Sequence, residues 1–239
     1  MASGIGNGDV YSMRNLTMLM DYYELTMSNG YFEKGFKDKM VVFDMFYRKN
    51  PDNGGFVVSA GLEQLIEYIE DMHFSREDIE FLRSKGEFSE GFLQYLADFK
   101  FTGNIDALPE GTICYPNTPL VTVTAPVIEA QLIETMLLLT MNFQSLIATK
   151  ASRICRTAAE SGAVVMEFGA RRAHGGDAAI LGARAAYIGG AAATATVMAD
   201  EQFGVPAIVR WRIAGSSSLI LNTKHLRHMQ KSIRTTVHC

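Results

Sequence analysis

The segment Glu167-Phe168-Gly169-Ala170-Arg171-Arg172-Ala173-His174-Gly175-Gly176-Asp177 is the densest run of chemistry-bearing residues in the chain. It follows the apolar run Val164-Val165-Met166, so Glu167 stands where a strand ends. Two guanidinium groups offer the planar donor fork that fits a carboxylate or a phosphate. The glycines let backbone N–H groups approach an anion, and a helix opening at Asp177 adds its positive N-terminus. The same residues fit a blander arrangement, with Arg171 and Arg172 paired to surface carboxylates and Asp177 capping its helix. Spacing alone does not separate the two.

Two further concentrations are weaker. Asp21-Tyr22-Tyr23-Glu24-Leu25-Thr26-Met27 reads as an amphipathic helix with tyrosines at the core edge. Phe46-Tyr47-Arg48-Lys49-Asn50-Pro51 puts two cations at the exit of a strand, usually a solvated edge. His73 sits at a helix end, where a capping or surface role suits it. His174 is a candidate ligand or acid/base group, but no metal-ligand spacing accompanies it. The chain has no GxGxxG, no P-loop and no GxSxG.

These residues need elements to hold them. The pattern predicts a first helix over Leu16–Gly30, a strand over Val41–Tyr47 and a loop over Asn50–Gly55. A short strand Phe56–Ser59 and a helix Leu62–Met72 come next. Ser75-Arg-Glu-Asp78 is a capping box opening another helix, and Glu90–Phe99 is a third. Prolines 109, 116, 119 and 126 punctuate short β segments at Thr112–Tyr115 and Leu120–Ala125. Val127–Ala159 reads as one long helical stretch. Then strand Val164–Phe168, helix Asp177–Ile188, strand Ala192–Thr196, helix Met198–Gly204 and a strand from Pro206 alternate as parallel βα units do.

Composition describes an ordinary globular chain: 239 residues, 48% hydrophobic, 20% charged, net charge −4. Three scattered cysteines fit reduced thiols in a cytosolic protein rather than a disulfide framework. Residues 1–10 lack the order of a signal peptide. The apolar window Leu132–Ala148 is interrupted by Glu134, Asn142 and Gln144, so it reads as a buried helix rather than a membrane span. Charge is uneven. No Asp or Glu occurs from Gln202 to Cys239, a stretch holding six of the 22 basic residues and three of the five histidines. A basic tail of this kind is usually a nucleic-acid or membrane contact.

Taken together, Asp21–Met27, Phe46–Pro51, Glu167–Gly175 and Thr194–Pro206 (TATVMADEQFGVP) resemble nicotinate phosphoribosyltransferase, over about Asn15 to Ala207. The resemblance implies an α/β fold: an α+β N-terminal domain (15–126), then a helical connector and the first βα units of an incomplete, irregular (β/α) barrel (127–208), as in type II phosphoribosyltransferases. Residues 1–14 form a flexible N-terminus in this scheme. It implies a cytoplasmic homodimer that joins nicotinate to phosphoribosyl pyrophosphate with Mg²⁺ and ATP, through a phosphorylated histidine. Phe168 would stack on the pyridine ring and Arg171 would contact its acid group. Asp21 and Tyr23 would reach the site from the partner subunit, and Arg48 would hold phosphate. Glu167, Gly169, Arg172, His174 and Asp177 would support the loop. The sister family that uses nicotinamide carries Asp where Ala195 stands, which favours nicotinate here. Quinolinate, with two carboxylates, would want more cations.

The resemblance stops at Ala207-Ile208, where the family continues I-G-T-M-A-H-S-W. If one G is missing after the Ile208 codon, the original codons combine the last base of each present codon with the first two of the next. Val209/Arg210 then permits Thr, Arg210/Trp211 permits Met and Trp211/Arg212 permits Ala. Arg212/Ile213 permits His, Ile213/Ala214 Ser, and Ala214/Gly215 Trp. Residues 209–239 are therefore expected to be an out-of-frame tail, loosely attached, and the chain as written inactive or nearly so and poorly soluble. The competing class is a non-enzymatic remnant that binds nucleic acid through this tail, recognisable by salt-dependent binding lost on its deletion.

Overall fold

Alternation over Met40–Met45 forms strand β1, with Val41, Phe43 and Met45 turned inward and Met40, Val42 and Asp44 outward. The structure is a computed structural model that describes residues 14–208. The expectations for residues 1–13 and for the 209–239 tail lie outside the described residues.

Helix α1 spans Tyr22–Glu33 rather than the expected Leu16–Gly30. Leu16 to Met20 form a turn, and Asp21, in extended backbone, is the N-cap residue. Gly30 lies within the helix. The stop signal is Gly35, at φ +72°: its N–H donates to Phe32 and that of Phe36 to Tyr31, a Schellman closure.

Strand β2 (Val57–Val58) leads to helix α2 (Leu62–Asp71). Gly61 precedes α2 at φ +109°, and a Cβ there would lie 2.7 Å from the Thr140 carbonyl oxygen. Helix α3 (Arg76–Lys85) opens on the expected reciprocal Ser75–Asp78 capping box. Helix α4 (Glu90–Ala97) is capped by Ser89. Leu65, Leu82, Phe92, Leu93 and Leu96 of these helices are fully buried in the main core.

Strand β3 (Asn104–Ala107) carries no sequence signal, because Asn and Asp are poor strand formers. It exists by pairing. Strand β4 (Ile113–Cys114) pairs with β2, and β5 (Val121–Pro126) pairs antiparallel with β1 on one edge and β3 on the other. The sheet order is therefore β1-β5-β3.

The long helical stretch is two helices, α5 (Val127–Leu132) and α6 (Glu134–Glu160), interrupted at Ile133. The interruption gives α6 a first turn whose N–H groups have no helical partner. Strand β6 (Met166–Glu167), helix α7 (Gly176–Ile188), strand β7 (Ala193–Thr194) and helix α8 (Val197–Phe203) complete the order. β6 and β7 are parallel, as the alternation predicts, though each is two residues long. The strand expected from Pro206 is, among the described residues, a single parallel bridge from Thr194 to Ala207. Ile180, Leu181, Ala199 and Val205 form a second, smaller core.

The fold is mixed α/β. The described residues up to Ala207 form one compact unit. Among the described residues no helix is long and apolar enough to cross a membrane. Cys114 and Cys155 are free thiols.

Candidate active site

Glu167 ends β6 and organises the loop beyond it. One carboxylate oxygen accepts the Gly169 N–H, and the other accepts the Thr194 hydroxyl at 2.7 Å. Thr194 is fully buried, and its Oγ1 accepts the Thr196 N–H at 3.0 Å. The Glu167 carbonyl accepts the Ala195 N–H at 3.0 Å. One residue thus ties the loop after β6 to the end of β7. Gly169 suits the close approach, because a Cβ there would lie 2.8 Å from Glu167 Oε1.

Beyond Gly169 the chain makes a 3-10 turn over Ala170–Arg172 and enters α7 through Gly175 at φ +120°. Arg171, Arg172 and His174 are exposed. Among the described residues no carboxylate pairs with Arg171 or Arg172. Asp177 does not cap its helix. It lies in the first turn of α7 and pairs with Arg14, a partner that no sequence spacing signals.

Tyr23 and Arg48 lie elsewhere, on a groove of about 1190 Å³ between α1, β1 and the α5–α6 stretch. Its wall includes Val42, Phe46, Glu134 and Leu138. Burial and a hydrogen bond to Glu134 push the Tyr23 phenol up to about 12, so it stays neutral at ordinary pH. Arg48 is exposed and has no carboxylate partner among the described residues. The loop after it is tied down by Asp52, 2.9 Å from Lys150 and 3.6 Å from Arg153 on α6. Asp21 is exposed at the start of α1, beside this groove's Tyr23.

The predicted site residues therefore form two sets. Glu167, Gly169 and Ala195 are brought together by hydrogen bonds, and Phe168, Arg171, Arg172 and His174 share their loop. Tyr23 and Arg48 line the groove, with Asp21 two residues before Tyr23, and the groove wall includes no described residue from 166–196. His73 caps nothing catalytic: its ring meets the Asp71 carbonyl at 2.6 Å.

Sequence reasoning missed the buried Arg184 of α7. Its guanidinium donates to Glu110 at 2.9 and 2.6 Å, to Gln144 at 3.2 Å and to Glu63, with the Phe203 ring 5.4 Å away. Glu110 also accepts the N–H groups of Gly61 and Leu62, capping α2 from a distant loop. Arg184 sits in an alanine-rich run, and nothing in that run signals a partner 74 residues away. Burial works to raise the Glu110 carboxyl, but Arg184 outweighs it and holds it below the usual range.

A family profile described as the nicotinate phosphoribosyltransferase (NAPRTase) N-terminal domain matches residues 18–142. Nicotinate phosphoribosyltransferase pncB2 of Mycobacterium tuberculosis is 43% identical over 189 residues, 79% of this chain and 40% of that protein. The Bacillus subtilis nicotinate phosphoribosyltransferase is 43% identical over 192 residues, 80% of this chain and 39% of its own. Human nicotinic acid phosphoribosyltransferase superposes with a TM-score of 0.76 at 31% identity, over 83% of this chain and 40% of the human one. A nicotinate-nucleotide pyrophosphorylase from Pyrococcus furiosus superposes at 0.66 and 25% identity, over 84% of this chain and 43% of that one. The chain thus spans about two fifths of the length of the curated relatives it matches. With the profile covering more than half of its residues, the chain belongs to the nicotinate phosphoribosyltransferase family.

Proposed function

We propose that this chain carries the base-recognition half of a nicotinate phosphoribosyltransferase, which converts nicotinate and phosphoribosyl pyrophosphate to nicotinate mononucleotide and pyrophosphate. The observation that carries the reading is the loop after β6, where Phe168 is followed by two exposed guanidinium groups that pair with no carboxylate among the described residues. An aromatic ring with cations three and four residues on suits a flat aromatic acid. The pyridine nitrogen attacks the ribose C1, and the C1–O bond to pyrophosphate breaks with its electron pair leaving on oxygen. Phe168 and Arg171 hold and orient the base for this step. Arg48 meets phosphate.

Ala195 follows β7 and presents no carboxylate, and the nearby Glu167 carboxylate is already engaged by Gly169 and Thr194. That favours nicotinate over nicotinamide. The proposal includes a homodimer in which Asp21, Tyr23 and Arg48 serve the partner's Phe168 loop. It is supported by their separation from that loop here and by the exposed apolar groove wall, with Val42 63% and Leu139 50% exposed. The short parallel β6–β7 pair is read as the start of a barrel, and a cytoplasmic location fits the free thiols. Mg²⁺ and ATP rest on the resemblance alone. Among the described residues no three His, Cys, Asp or Glu side chains converge, so no step is routed through either.

The test is product formation from nicotinate and phosphoribosyl pyrophosphate, with and without ATP, by the 239-residue chain and by a chain with one G restored after the Ile208 codon. Nicotinate mononucleotide from the restored chain, and little from the chain as written, is expected. No product from the restored chain, or equal use of nicotinamide, overturns the reading.

A further inference from the structure

Glu24 is a fully buried carboxylate in the first turn of α1. No lysine or arginine pairs with it among the described residues. Its partner is Thr135, in the first turn of α6, just past the interruption at Ile133. Glu24 Oε1 accepts the Thr135 N–H at 3.0 Å and the Thr135 hydroxyl at 2.5 Å. Thr135 Oγ1 in turn accepts the Asp21 N–H at 3.1 Å. Each helix therefore caps the other: the α1 carboxylate satisfies an orphan N–H of α6, and the α6 hydroxyl satisfies the backbone where α1 begins.

We propose that Glu24 and Thr135 are a positioning pair whose mutual capping sets the Asp21–Tyr23 turn at the rim of the groove. The importance of that turn rests on the function proposed above. The pair itself rests on geometry. Thr135 holds the residue before α1 while Glu24 holds Thr135, so Tyr23, between the two anchored residues, cannot move independently of α6. Without the break at Ile133, α6 would offer no free N–H for Glu24 to take.

The pair also senses protons. Burial pushes the Glu24 carboxyl up to about 7, against the opposing effect of the Thr135 hydrogen bonds, and the charges of Glu134 on α6 and Asp21 on α1 raise it further. From α2, the buried Tyr68 hydroxyl faces the same region; among the described residues that hydroxyl, Glu24 Oε2 and the buried Ser28 hydroxyl have no hydrogen-bond partner. A proton on Oε2 turns an unpaired buried acceptor into a donor among unpaired hydroxyls.

The experiment is NMR on the full 239-residue chain and its Glu24→Gln, Thr135→Ser and Thr135→Val variants, between about pH 5.5 and 8.5. In the unsubstituted chain the Thr135 amide and the Tyr23 ring signals should titrate together with a midpoint at about 7. Glu24→Gln should abolish both titrations. Thr135→Val should speed Asp21 amide exchange about tenfold, the loss of one hydrogen bond, and Thr135→Ser should restore protection. A merely structural role does not couple the Tyr23 ring to the Glu24 proton. A Thr135 amide that does not titrate, a Tyr23 ring indifferent to Glu24→Gln, or unchanged Asp21 exchange in Thr135→Val overturns the proposal. Should Thr135→Val not fold, the two conservative variants still decide. No ligand enters these readouts, so failure of the enzymatic reading, seen as missing nicotinate mononucleotide, is recognised separately.

Discussion

Arg184 and Glu110 meet in a two-point pair, Nη1 to Oε1 at 2.9 Å and Nη2 to Oε2 at 2.6 Å, with the arginine buried and the glutamate largely so. The pair joins α7, which carries the Phe168–Arg172 loop at its start, to the loop that caps α2. Arg184→Met leaves a buried carboxylate without its cation. The expected loss is about 3 kcal/mol or more, read as a lower denaturation midpoint. Arg76→Ala, which breaks an exposed pair on α3, should cost under about 1 kcal/mol.

The same pair sets an acid limit. The folded Glu110 carboxyl lies below its ordinary value. Its contribution is complete above the unfolded carboxylate pKa and is lost as pH falls through the lower folded value. Thermal melts from about pH 4.5 downward should show a stability loss that Glu110→Gln makes shallower.

Glu24 acts in the opposite direction. Its carboxyl rises from 4.5 unfolded to about 7 folded, so folding takes up a proton between those values. The associated stability is complete below about 4.5 and is lost as pH rises to about 7. Melts across this window should slope downward with pH in the unsubstituted chain and less so in Glu24→Gln.

Gly61→Ala is expected to destabilise by about 2 kcal/mol or more. The residue sits at φ +109°, and its new Cβ would meet the Thr140 backbone at 2.7 Å. Chemical unfolding measures this. Gly86→Ala, also at positive φ but with open space around it, separates backbone strain from collision and should cost less.

In the frame-restored chain, Arg171→Ala should weaken nicotinate use about 10- to 100-fold, the worth of a charge-assisted hydrogen-bonded pair. Ala195→Asp should move preference toward nicotinamide. Competition between the two bases in one reaction gives the ratio directly.

Local signals in the sequence are legible and distant ones are not. The Ser75–Asp78 box, the β1 alternation and the parallel βα order depend on neighbours within a few residues, and all three are present. The first helix differs from its expected span because Gly30 reads as an end, whereas Gly35, five residues on, adopts the left-handed conformation. β3 has a tertiary cause, the free edge of β5, and no residue near Ile133 marks the break between α5 and α6 in the sequence. At the candidate site the spacing of the arginine loop fits an anion site and a set of surface ion pairs alike. Which acids among the described residues lie near Arg171 and Arg172 is not legible in the sequence, because only the folded chain brings distant residues together.

The sheet order has a consequence for how the chain is made. β1 and β3 are not paired with each other; among the described residues each pairs with β5, which comes last of the three in the sequence. A ribosome therefore releases both outer strands before the strand that joins them. Helices α2, α3 and α4, built on local contacts, can form while they wait, but closing the sheet must bridge the chain between β1 and β5. Until Pro126 emerges, β1 is an unpaired apolar edge, and that interval is when the nascent chain is most open to pairing with another.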